Sequence, residues 1–231
     1  MVEHELPKLG VAGSTPVSRS SLASVSQFDS FLFLSHYRQM IDANLPKNLA
    51  VRPFSLNEAL ATGLTKYAVK KLLKQGRLER ISHGIYQAAD KAMFELEDQY
   101  RSATLRCGRP SAICLLSALE HYHLTDLIPN KTWIMVPNEK RISASELKLV
   151  RLRKPHWKIG IRKVRGYWIT SIERTLIECL LQKRLISTTE ALSSIKQALA
   201  GKKTTLNNLF EIARKIGALN RVLPYIQVFT I

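Results

Sequence analysis

The sequence predicts an α+β protein, with an N-terminal winged helix-turn-helix unit followed by a mixed α/β region that ends in a helical bundle. Three observations predict it. Between Phe54 and Tyr86 a capped short helix, a second capped helix and an alternating hairpin follow one another. Beyond residue 92, strand-like and helix-like runs interleave. From Ser171 onward, three capped apolar periodicities are separated by short turns.

The elements follow in order. Residues 1–26 are rich in serine (Ser14, Ser18, Ser20, Ser21, Ser24, Ser26) and lack periodicity, as expected of a flexible arm. From Gln27, apolar residues Phe28, Phe31, Leu32, Leu34, Tyr37 and Ile41 recur at helical spacing until Pro46. Ser55 to Glu58 is a capping box: the hydroxyl accepts the third amide of the helix, and the carboxylate reaches back to the cap amide. Its helix stops at Gly63. Thr65 caps a second helix, Lys66 to Gln75, and Gly76 supplies the left-handed stop. Leu78 to Ile81 alternates, Ser82-His83-Gly84 turns, and Ile85-Tyr86 returns. The winged unit is therefore placed at residues 27–92 and the second domain at 93–231.

In that second domain Glu95–Arg106 and Pro110–Tyr122 read as helices, the latter with proline in its first turn. Ser143 to Glu146 reads as a further helix cap. Thr132–Val136, Leu149–Arg153, Lys158–Val164 and Tyr167–Thr170 read as strands. Three closing helices are capped by Ser171, by a Ser187–Glu190 capping box, and by Thr205, the last stopping at Gly217.

Composition bounds the function. At 231 residues, 45% hydrophobic and 23% charged, the chain can build a core, which excludes global disorder. No uncharged apolar stretch approaches the ~20 residues that cross a bilayer. Glu3 and Glu5, with no apolar segment behind them, do not form a secretory signal. Cys107, Cys114 and Cys179 are scattered, without metal-ligand spacing, as expected of small buried hydrophobes in a reducing cytoplasm. The net charge of +17 points to nucleic acid, an acidic protein or an anionic surface. It is uneven: residues 1–100 hold 12 basic and 10 acidic residues, and residues 101–231 hold 23 and 8.

On the helix after Thr65, Val69, Leu72 and Leu73 make an inward face. Lys66, Tyr67, Lys70, Lys71 and Lys74 fall opposite. A DNA-reading helix needs this division, because one stripe packs while the other meets the major groove and its phosphates. Thr65, Lys66 and Tyr67 occupy the end where base edges are read. Arg77 and Arg80 border the wing and His83 sits at its tip. A second basic set comprises Arg151, Arg153, Lys154, Lys158, Arg162, Lys163 and Arg165, with no acid between Glu146 and Glu173. Partial alternation there suggests a basic outward strand face, either solvated or an anion-binding surface for DNA, RNA or an acidic partner.

Enzyme signatures are weak. Glu146-Leu147-Lys148 with Asp126 resembles a nuclease E-x-K, but the predicted cap at Ser143 puts it on a helix where a strand is required. His121 and His123 lack a carboxylate or cysteine cluster, so no metal site is expected. Neither a phosphate-binding loop nor a dinucleotide fingerprint is present, so no cofactor is expected.

Phe54-Ser55-Leu56, Gly63-Leu64-Thr65-Lys66, Leu72-Leu73, Gly76-Arg77-Leu78-Glu79-Arg80 and Gly84-Ile85-Tyr86 together resemble the N-terminal domain of the AbiEi antitoxin family. Leu115-Leu116-Ser117-Ala118-Leu119 with His123-Leu124, Trp133-Ile134-Met135-Val136-Pro137 and Ile169-Thr170-Ser171-Ile172-Glu173-Arg174-Thr175-Leu176 extend the likeness. Ala191-Leu192, Leu209 to Ile216 and Arg221-Val222-Leu223-Pro224-Tyr225 carry it to about residue 228. No single motif is specific; their order and spacing are. The resemblance implies a cytoplasmic, non-enzymatic antitoxin of a type IV toxin–antitoxin (abortive-infection) system. It would bind double-stranded promoter DNA, repress its own operon, and counter a nucleotidyltransferase-like toxin without a stable complex. A stand-alone winged-helix transcriptional regulator is the alternative reading, and a DNA nuclease a third.

Overall fold

A computed structural model describes residues 45–91, 94–152 and 156–229, all within one compact unit. The Ser-rich arm and the helix expected from Gln27 lie outside the described residues, as do Arg153 and Lys154. The architecture is mixed α/β with two sheets.

The first sheet is small and antiparallel. After α1 (Lys47–Ala50) come β1 (Phe54–Ser55), α2 (Leu56–Ala61), α3 (Lys66–Lys74), β2 (Leu78–Ser82) and β3 (Ile85–Ala88), with sheet order β1-β3-β2. The capping box on α2 is complete: Ser55 Oγ accepts the Glu58 amide at 3.2 Å, and Glu58 Oε2 accepts the Ser55 amide at 3.0 Å. Such a cap stabilises its helix by about 1 kcal/mol. Gly63 and Gly76 end α2 and α3 at φ +90° and +68°, a region that costs any other residue strain. Between β2 and β3 the register shifts by one residue, so Ile81 forms a bulge and stands outward.

The second sheet has five strands: β4 (Ala112–Ile113), β5 (Thr132–Pro137), β6 (Leu147–Leu152), β7 (Ile161–Val164) and β8 (Tyr167–Thr170). Their order is β6-β5-β4-β8-β7, with β5–β6 and β4–β8 parallel and the other pairs antiparallel. Helix α4 (Leu96–Cys107) packs on β4, β5 and β8, and also touches all three strands of the first sheet. Helix α5 (Leu115–His121) leads to α6 (Ile172–Leu181), around which α7 (Thr188–Ala200), α8 (Leu206–Lys215) and α9 (Leu219–Ile226) pack. Seven consecutive residues of α6, Arg174 to Leu180, are buried, as expected of a helix enclosed on every side. The cysteines are free and buried, and burial pushes the Cys107 thiol up to about 11.

Five sequence expectations are corrected. Pro110–Tyr122 is not one helix: Ala112 and Ile113 form the central strand β4, and the helix starts at Leu115. Both faces of a central strand are covered, so Ser111 to Leu115 are all buried, and such a continuous apolar run has no strand-like alternation. Ser143 to Glu146 forms no helix; the chain turns there and β6 begins at Leu147. Lys158 to Gly160 lies outside β7. A fourth closing helix, α9, carries Pro224 in its interior, and Glu190 hydrogen-bonds Thr125 instead of completing the second capping box.

Among the described residues no helix is long and apolar enough to cross a membrane.

Candidate nucleic-acid interface

Helix α3 divides cleanly. Thr65 Oγ1 accepts the Ala68 amide at 3.1 Å, which fixes the first turn. Ala68, Val69 and Leu72 are buried against the small sheet, while Leu73 is only half-buried; Ala68 takes the inner place that the sequence reading gave to Leu73. Opposite, Lys66, Tyr67, Lys70 and Lys74 are exposed, Tyr67 at 69%, and Lys71 is half-buried.

Three carboxylates of this region are engaged away from α3. Glu58 pairs with Arg101 at 2.6 Å and Arg52 at 3.3 Å, Asp98 with Lys91, and Glu97 with Arg165. Lys66, Lys70 and Lys74 make no ion pair among the described residues. A cationic stripe without internal counter-charges is available to phosphates, and exposed lysines supply non-directional attraction.

The wing continues the surface. Arg80 donates to Ser82 O at 3.3 Å and contacts His83 Nδ1 at 2.9 Å, so the tip residue is held by its own strand. Arg77, Arg80 and His83 are exposed. The structure thus brings Thr65 to His83 into one continuous segment of helix, turn and hairpin.

It does not bring the second basic set together. Arg151 lies on β6 and Arg162 and Lys163 on β7, the opposite edges of the five-stranded sheet. Arg162 donates to Tyr122 Oη at 3.2 Å and stands over that ring, Arg165 pairs with Glu97, and Lys158 is exposed in the preceding turn. The outward strand face expected from alternation is therefore two edges.

The argument that placed Glu146 on a helix also fails, since Leu147 and Lys148 open β6. Among the described residues no three His, Cys, Asp or Glu side chains are grouped to hold a metal. His121 packs edge-on against Tyr100, Tyr122 and Tyr167, with burial pushing its pKa down, while His123 is exposed.

Residues that sequence reasoning missed join the start of the winged unit to the second sheet. Arg101 on α4 is 5% exposed and donates to Pro53 O at 2.6 Å, Gly166 O at 3.0 Å and Glu58 Oε1 at 2.6 Å. One guanidinium thus ties β1, α2 and the β7–β8 turn. The turn must carry glycine: Gly166 has φ +91°, and a Cβ there would lie 1.7 Å from Arg101 Nη1. Gly166→Ala is expected to expel the guanidinium and to cost about 2–4 kcal/mol, from left-handed strain plus unpaired carbonyls. Denaturant unfolding of Gly166→Ala, Arg101→Ala and the double variant checks this. The double should be little worse than either single, since both remove the same contacts.

Two short helices, a capped third with an exposed cationic face and a two-stranded wing define the winged helix-turn-helix class. Residues 49–89, which span these elements, match the model of a family described as "Transcriptional regulator, AbiEi antitoxin". Over this segment the chain is similar to the AbiEi antitoxin family of transcriptional regulators. A comparison with curated proteins gave no match.

Proposed function

We propose that the protein is a cytoplasmic DNA-binding repressor and the antitoxin of a type IV toxin–antitoxin system. It binds its own promoter and counters a nucleotidyltransferase-like toxin encoded beside it without a stable complex. The observation that carries the DNA-binding part is the exposed, counter-charge-free face of Lys66, Lys70 and Lys74 on a helix whose other face is packed. Thr65, Lys66 and Tyr67 read base edges from the helix N-terminus, and Lys70, Lys71, Lys74, Arg77, Arg80 and His83 hold the flanking backbone. The family match over residues 49–89 supports the antitoxin part. Arg151, Lys158, Arg162, Lys163 and Arg165, spread over two sheet edges, add to the long-range field that draws DNA in and do not form one contact surface.

The test is a reporter driven by the protein's own promoter, together with co-expression of the neighbouring gene. The expected result is repression by the parent chain and rescue from the neighbour's toxicity without co-purification. Full reporter expression in the presence of the parent chain would overturn the repressor reading. A harmless neighbour, or a toxic one not rescued, would overturn the antitoxin reading.

A further inference from the structure

A cleft of about 880 Å³ opens between the wing, helix α4 and the segments that flank β5 and β6. That volume lies within the range of small-ligand sites. Its lining combines apolar walls with buried donors that have no partner. Ile81, turned out by the wing bulge, stands 37% exposed, Phe94 44% and Ile128 86%. Leu96 and Ala103 on α4 continue the apolar floor.

The unpartnered groups are Ser82 Oγ, Ser102 Oγ and Arg106 Nε, and all three residues line this cleft. Ser102 is 8% exposed. They converge. Ser102 and Arg106 lie one turn apart on α4, hence on one face. Arg106 donates to His83 O at 3.4 Å and Ser143 O at 3.1 Å, which puts its side chain beside Ser82 and across the mouth of the cleft. Two hydroxyls and a guanidinium N–H without partners in the lining of one cleft call for an acceptor, and a charged acceptor binds a guanidinium most strongly. Two carboxylates, Glu120 and Glu146, and one further cation, Lys131, also line the cleft. With Arg106 they sum to no net charge, so a singly charged head held locally on Arg106 leaves less uncompensated charge than a dianionic phosphate would.

We infer that this cleft binds a small amphipathic monocarboxylic acid, its carboxylate on Arg106, Ser102 and Ser82 and its apolar body against Ile81, Phe94 and Ile128. The ligand would touch the wing directly through Ile81 and Ser82 and indirectly through Arg106, which holds the carbonyl of the wing-tip residue His83. Binding would then alter promoter affinity, and by linkage promoter DNA would alter ligand affinity by the same factor. This coupling rests on the DNA-binding reading; the ligand site does not.

The test is calorimetric titration of the full chain with octanoate, phenylpropionate and indolepropionate, each against its primary amide. At least one acid should bind saturably, with its amide about tenfold weaker or more. Arg106→Gln should abolish the preference for acid over amide. Ile128→Glu, at an exposed position that leaves folding intact, should weaken the acid more than the amide through like-charge repulsion. The site is overturned if none of the acids binds, if acid and amide bind equally, or if both variants bind as the parent does. Promoter affinity is then measured with and without the bound acid. An unchanged affinity overturns the coupling, while absence of promoter binding in either case overturns the DNA-binding reading and leaves the titration standing.

Discussion

Arg174→Ala is expected to unfold about 3–5 kcal/mol more easily than the parent protein, because it leaves a buried carboxylate without its counter-charge. Arg174 is 1% exposed at the start of α6. Its Nε donates to Glu178 Oε1 at 2.9 Å, one turn on, and its Nη1 donates to the carbonyls of His156, at 2.8 Å, and Ile159. One side chain therefore pins the turn before β7 onto the central helix of the bundle. Gly160 fits under it, since a Cβ there would lie 2.9 Å from Arg174 Cβ. Lysine is not expected to rescue the site, as a single ammonium cannot reach a carboxylate and two carbonyls in this forked geometry.

The deficit should depend on pH in a defined direction. Burial pushes the Glu178 carboxyl up, and Arg174 opposes that rise. Without Arg174 the folded-state value climbs further above the unfolded one. The folded variant then holds a proton that the unfolded chain releases, so stability falls as pH rises through that interval. Urea unfolding should show the largest gap between variant and parent at neutral pH, narrowing as pH falls toward the ordinary carboxylate range. A gap that widens on acidification would contradict this account of the pair.

The site was more legible than the scaffold behind it, for a physical reason. Caps and left-handed stops act within a few residues, so Ser55, Gly63, Thr65 and Gly76 delimit α2 and α3 from local chemistry alone. The exposure of Lys66, Lys70 and Lys74 follows from helical period once Val69 and Leu72 point inward. Strand β4 was missed because both its faces are buried, between β5 and β8, so its residues show none of the alternation that marks a half-exposed strand. The second basic set was read as one face because Lys148 to Arg165 are close in sequence; sheet order, which depends on contacts far apart in the chain, sends β6 and β7 to opposite edges. Arg101 and Gly166 meet across 65 residues, and no local signal marks the pair. The composite cleft beneath the wing is of the same kind, since its donors come from β2 and α4.

Replacing Lys66, Lys70 and Lys74 together by alanine is expected to leave stability nearly unchanged and to weaken promoter binding on the order of 500-fold at about 0.1 M salt. All three side chains are exposed and make no ion pair among the described residues, so folding loses little. Each phosphate neutralised contributes about −0.9 to the slope of log K_obs against log[salt], which near 0.1 M salt is just under a factor of ten in affinity. If the parent protein contacts six to eight phosphates, its slope should be about −5 to −7. Alanine at Arg151, Lys158 and Lys163, which lie on or beside the edge strands of the second sheet, should weaken binding far less. The measurement that tests the central claim most directly is a salt titration of promoter binding by fluorescence anisotropy, for the parent and for the Lys66, Lys70, Lys74 variant side by side. The result expected is a variant slope shallower by about 3, one counterion for each lysine removed. Parallel lines with equal affinity would contradict the assignment of α3 as the helix that meets DNA.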